Sequence, residues 1–111
     1  MTRFFISPGD PSGIGPEITL KALSKNKDIQ NNFVLAGDKT LYLDLIDRNN
    51  IDLNLIDESS KETGVVFKHF PLQNQVSFGK PDVANANYII DILSYGALGC
   101  LKKEFKGLIT G

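Results

Sequence analysis

Ser7-Pro8-Gly9-Asp10-Pro11-Ser12-Gly13-Ile14-Gly15-Pro16-Glu17 packs three glycines and three prolines into eleven residues. So many backbone-special residues punctuate a chain rather than continue an element. Before the stretch stands Arg3-Phe4-Phe5-Ile6-Ser7, a compact apolar run that Pro8-Gly9 closes, which reads as a strand. After it, Gly15-Pro16-Glu17 reads as a helix start. Proline suits the first helical position because its missing N–H would be unpaired there, and Glu17 complements the positive helix end. Ile18, Leu20, Ala22 and Leu23 carry the helix to about Ser24, and Lys25-Asn26-Lys27-Asp28 ends it. The stretch is therefore a strand-to-helix turn at the carboxyl end of a strand. In open α/β sheets that edge binds ligands. Gly13 and Gly15 are expected to take positive φ, with Pro16 opening the helix. Asp10 and Ser12 are the candidates for lining a cleft.

Outward from the turn, strands and helices alternate. Phe33-Val34-Leu35-Ala36-Gly37 is a continuous apolar run, as in a strand covered on both faces. Asp38 can cap the next helix, where Leu41, Leu45 and Ile46 recur at helical spacing until Arg48-Asn49-Asn50. Ile51, Leu53 and Leu55 alternate like a strand, Asp57 to Gly64 is a polar loop, and residues 65–70 form another strand candidate. Pro71 to Asp82 is an irregular connection. A long helix is expected from about Val83 to Lys103, with Tyr88, Ile89, Ile92, Leu93, Ala97 and Leu101 on its apolar stripe. Gly96 and Gly99 each weaken it by about 1 kcal/mol relative to alanine, unless a close packing partner needs the space. Leu108-Ile109-Thr110 is the last strand, expected to be buried on both faces. The pattern is that of a layered αβα fold with a largely parallel sheet. If the last strand runs parallel to the first, Thr110 and Gly111 reach the same edge as Asp10 and Ser12.

Composition narrows the function classes. Hydrophobic residues make up 41% and charged residues 23% of the 111, as in an ordinary folded domain. Twelve basic and thirteen acidic side chains leave a charge of −1, which gives neither a nucleic-acid footprint nor a polybasic membrane anchor. No apolar run is long enough to span a bilayer. The short run before Pro8 reads as a strand rather than a signal peptide, and the single Cys100 cannot form an internal disulfide, so the cytoplasm is the expected compartment.

The glycine-rich stretch matches neither common phosphate cradle. Counting from Gly9, the second glycine of a P-loop falls on Ile14, and no lysine follows. Gly13 and Gly15 begin a dinucleotide fingerprint, but Ile18 occupies its third glycine position. Read whole, Gly-Asp-Pro-Ser-Gly-Ile-Gly-Pro-Glu at 9–17 resembles the opening motif of the 4-hydroxythreonine-4-phosphate dehydrogenase family, which takes part in pyridoxal 5′-phosphate synthesis. A shorter form opens the isocitrate and isopropylmalate dehydrogenases, and the extra Pro-Ser pair favours the former. Phe33–Asp38 resembles the family's second strand. Phe78-Gly79-Lys80 with Ala84 and Ala86 resembles the approach to its long helix. Leu108-Ile109-Thr110-Gly111 resembles a strand that the family follows with a proline and then a lysine.

The resemblance implies an isocitrate/isopropylmalate dehydrogenase-like fold, incomplete in residues 1–111, which would be the amino-terminal portion of a larger enzyme without an internal domain boundary. It implies NAD-dependent oxidation of a small phosphorylated hydroxy-amino acid, followed by decarboxylation, in a homodimer. A divalent metal (zinc, magnesium or cobalt) would be held by three histidines, expected beyond residue 111 with the phosphate-binding residues. No catalytic residue or metal ligand is therefore assigned within the chain. A relative acting on another phosphorylated hydroxy acid, such as a phosphothreonate, and a non-catalytic α/β module are the alternatives. The remaining chemistry-bearing residues read as structural. His69, the sole histidine, is a surface or edge residue; Cys100 is a small buried hydrophobe; Asp52, Asp57 and Glu58 form a solvated loop; Tyr88 is core or helix surface.

Overall fold

The computed structural model describes residues 3–77 and 79–111. Phe78, in the expected approach to the long helix, lies outside the described residues. Strands β1 (Arg3–Ser7), β2 (Phe33–Gly37), β3 (Leu55–Ile56), β4 (Val65–His69) and β5 (Phe105–Thr110) form one sheet in the order β3-β4-β2-β1-β5. Every neighbouring pair is parallel. Helices α1 (Gly15–Lys25) and α2 (Lys39–Arg48) cover one face, and α3 (Ala86–Leu101) covers the other. The layered α/β expectation holds.

Alternation along the strands builds two cores, because successive side chains point to opposite faces. Ile6, Leu35 and Val65 meet Leu20, Leu23, Tyr42 and Leu45 of α1 and α2. Phe5, Val34, Ala36 and Val66 meet Tyr88 and Ile92 of α3. Each fully buried large side chain contributes about 1.5–3 kcal/mol. The chain leaves β1 toward β2 and returns on the other side of β1 as β5. The strand order therefore reverses between β1 and β5, a topological switch point.

Several expectations change. The strand expected from Ile51 shrinks to Leu55–Ile56. Asn50 takes φ +50°, and the N–H groups of Asn50 and Ile51 bond back to Asp47 O and Ile46 O. This is a Schellman end to α2, which takes the Ile51 N–H out of any ladder. α3 ends the same way. Lys103 has φ +61°, Lys103 N–H bonds to Cys100 O and Glu104 N–H bonds to Gly99 O.

The long helix begins at Ala86, after a 3-10 turn over Val83–Asn85. Its buried stripe is Tyr88, Ile92, Gly96 and Gly99, whereas Ala97 and Leu101 are exposed. The glycines are the contact surface. A Cβ on Gly96 would stand 2.7 Å from Phe5 Cδ1, and one on Gly99 would overlap the Phe105 ring. Cys100 is accordingly only half-buried.

β5 is longer than expected, and it is an edge strand, so it is not buried on both faces: Ile109 is 42% exposed. Arg3 pairs with Phe105 but Phe4 with Gly107, so Lys106 is the extra residue of a β-bulge. The bulge explains why Phe105 and Leu108, three residues apart, both pack on the α3 side.

Finally, neither Gly13 nor Gly15 has positive φ. In the opening turn Gly9 does, at +89°.

Candidate functional site

The opening turn is held by contacts its own sequence only partly announces. Asp10 Oδ1 accepts the Ser12 N–H at 2.8 Å and the Ser12 hydroxyl at 2.7 Å, and Gly13 N–H donates to Asp10 O at 3.0 Å. This is an Asx turn, in which aspartate supplies from its side chain the acceptor that a longer turn would find in the backbone. Gly15 is the first residue of α1 and Pro16 the second. A Cβ at Gly15 would overlap the Pro8 carbonyl, so this position requires glycine for space, not for φ. Gly13 has room: the nearest atom to an added Cβ would be Asp10 O at 3.4 Å.

The turn meets the end of β5. Ser7 pairs with Thr110, and Gly111 N–H donates to Ser7 O at 3.0 Å. A Cβ on Gly9 would come within 2.6 Å of Gly111 O. The expected meeting of the loop and the strand end at one edge is therefore present, with Ile6 opposite Ile109 in register. Within it, Ser12 is buried and faces Asp10, Asp10 is half-buried, and Thr110 and Gly111 are exposed. A third segment joins them: Gly79 N–H donates to Ser12 O at 3.0 Å. The site so framed has backbone N–H groups at the start of α1, one carboxylate and two hydroxyls. Among the described residues, no three His, Cys, Asp or Glu side chains group to hold a metal ion.

A second knot lies beside it, at the carboxyl end of β2. Asp38 caps α2 as expected, its Oδ1 taking the Leu41 N–H at 3.1 Å, and its Oδ2 takes the Leu72 N–H at 2.8 Å. Asp38 N–H donates to Tyr88 Oη at 2.8 Å, and Lys39 N–H donates to His69 Nδ1 at 3.0 Å. His69 is thus an exposed strand-end residue whose Nδ1 is occupied by the start of α2. Gly37 leaves room here, since a Cβ would overlap the Tyr42 ring and stand 3.0 Å from Tyr88 Oη. Burial pushes the Tyr42 and Tyr88 phenols upward, so both stay protonated. The sequence pattern alone marks Tyr88 as core or helix surface. Its role needed the register that brings α3 over Asp38, which no local pattern carries.

Asp38 and Leu72 also line a concave surface. A groove of about 510 Å³ runs between α2 and residues 72–76, floored by Leu41, Leu45, Leu72 and Val76 and rimmed by Asp44 and Arg48. None of Asp10, Ser12, Thr110 and Gly111 lines it. The edge where β1 and β5 end is an open surface rather than an enclosed cavity.

No family model matches the chain. Over 98% of its length it is 31% identical to a 4-hydroxythreonine-4-phosphate dehydrogenase of Vibrio parahaemolyticus and 30% identical to one of Vibrio cholerae, covering 34% of each. The whole chain superposes on a solved putative 4-hydroxythreonine-4-phosphate dehydrogenase from Salmonella typhimurium with a TM-score of 0.84 at 23% identity, covering 37% of it. The corresponding enzyme from Klebsiella pneumoniae gives 0.84 at 20% identity and 37% coverage. The chain thus spans about a third of the length of the curated relatives it matches. The family resemblance read from residues 9–17 extends along the chain, and the fold is an incomplete part of the relatives' fold.

Proposed function

We propose that this chain, which shares sequence and fold with the 4-hydroxythreonine-4-phosphate dehydrogenases, is the amino-terminal third of such an enzyme. It would act in the cytoplasm, as a homodimer, on 4-phosphooxy-L-threonine. In the reaction, the substrate carbinol loses hydride to NAD and a proton to a base, giving a β-keto acid that then releases carbon dioxide. The observation that carries the reading is the similarity along 98% of the chain to proteins of that name. The loop meeting the β5 end at the switch point supports it, because that is where such sheets bind ligands.

The divalent metal implied by the resemblance does not fit the residues described here. Three grouped ligands are lacking among them, and His69 Nδ1 is engaged with Lys39. No step is assigned to a metal through these residues. The part assigned to them is positional: the Asx turn of Asp10 and Ser12, the start of α1, and Thr110 and Gly111 wall one side of the substrate and cofactor crevice.

The test is an assay of the full-length protein with NAD, a divalent metal and 4-phosphooxy-L-threonine, with a phosphothreonate in parallel. Substrate-dependent NADH formation with the first compound is expected. Turnover of the phosphothreonate alone would move the protein to the alternative substrate, and no turnover of either would leave a non-catalytic module.

A further inference from the structure

α3 differs from the other two helices in the face it turns away from the sheet. The outer sides of α1 and α2 carry Lys21 and Lys25, and Lys39, Asp44, Asp47 and Arg48. In α3 the only charged side chain is Asp91. Opposite the buried Tyr88, Ile92, Gly96 and Gly99 run Ile90, Ser94, Ala97 and Leu101, all exposed, with Leu98 beside them. Ile90, Leu98 and Leu101 are each more than half exposed. A helix that is apolar on both sides is ordinarily covered on both.

The steps along this outer stripe are four, three and four residues, the same read from either end. Large side chains stand at its ends and small ones at its middle. Two copies packed antiparallel about a twofold axis between residues 95 and 96 therefore match themselves. Ser94 of one copy meets Ala97 of the other, Ile90 meets Leu101, and the small central side chains let the helix axes approach. Charge selects the same arrangement. The axis places Asp91 of one copy level with Cys100 of the other, within reach of Lys102, which lies three turns beyond Asp91 on the same exposed flank. A parallel pair would set Asp91 against Asp91, like charge against like.

We propose that the outer face of α3 is a self-association surface on which a second copy of this chain packs its own α3 antiparallel. The proposal names a face for the homodimer of the proposed function and rests on that reading for its full-length setting. Ile90 to Leu101 spans about 16 Å. So short a helix pair buries less than the ~1,200 Å² at which standard interfaces begin, so it is the apolar centre of a wider contact between full-length copies.

The experiment uses full-length protein in a Cys100→Ser background. Across the twofold axis the two Ala97 positions are offset by about 4.5 Å along the helices, and the two Asn87 positions by about 25 Å. A short bis-maleimide should therefore join Ala97→Cys copies into covalent dimers and leave Asn87→Cys copies single. Asp91→Lys should weaken association in sedimentation roughly fivefold, and adding Lys102→Asp should restore it. These side chains are exposed, so the melting temperature should hold. Linking of Asn87→Cys in place of Ala97→Cys, or no weakening by Asp91→Lys, would refute the antiparallel pairing. A dimer that Ala97→Cys does not link would overturn the face and leave the homodimer. A monomer, with another part of the chain on α3, would overturn both. NADH formation is read separately, so failure of this contact and failure of the enzyme reading are told apart.

Discussion

Replacing Gly9 by alanine should be among the most damaging single-methyl changes in the opening loop. Gly9 sits at φ +89°, where an L-residue is strained by about 1–2 kcal/mol. Its new Cβ would also stand 2.6 Å from Gly111 O, so either the loop or the end of β5 must shift. Overpacking of this kind costs about 1–3 kcal/mol. The two penalties are separate in origin, so Gly9→Ala should destabilise by about 2–5 kcal/mol. Gly13→Ala is the internal control. Its φ is ordinary and its nearest neighbour, Asp10 O at 3.4 Å, is in van der Waals contact, so the cost should stay below about 1 kcal/mol. Urea unfolding of both variants in the full-length protein gives the comparison, with amide exchange at Gly111 reporting whether the β5 end has moved. Equal losses from the two substitutions, or a larger one from Gly13→Ala, would refute the assignment of Gly9 as the strained and crowded position.

Lys103→Gly should stabilise the protein by about 0.5–1 kcal/mol, because Lys103 holds the left-handed position of the Schellman end of α3; a lower urea midpoint would contradict that helix end. Tyr42 and Tyr88 have phenols raised above the ordinary value by burial, so unfolded chains release these protons first as pH rises. The stabilising contribution is whole below about pH 10 and is lost above it as pH climbs toward the folded values, and the double Phe variant should flatten that alkaline loss in melting scans. The isolated 111-residue chain should associate and bind a hydrophobic dye, since Ile18, Ile109, Leu98 and Leu101 are exposed at 54%, 42%, 54% and 80%; a dye-silent monomer in sedimentation would refute this. That chain should also form no NADH with substrate and metal, as its described residues lack a metal-ligand group.

Much of the architecture was legible because its causes are local. The apolar run at Phe33–Gly37 announces a buried parallel strand, Asp38 a helix cap, and Pro8 to Pro16 a break between strand and helix. Residues 9–17 also carried the family resemblance, since a motif is read along the chain. What the sequence could not supply were effects between distant segments. The sequence marks Gly13 and Gly15 for positive φ, yet Gly9 takes it, and Gly15 is needed for the space beside the Pro8 carbonyl. The glycines of α3 looked like interruptions until Phe5 and Phe105 were seen to occupy their space. Ile51 alternates like a strand residue, yet its N–H closes the end of α2. Tyr88 reads along the chain as core or helix surface, and its place at the carboxyl end of β2 follows from the register of α3 over the sheet. Periodicity and turn chemistry act within a few residues and so are written in order along the chain. Close approach, register and the pairing of buried polar atoms act through space, and only the folded chain brings those partners together.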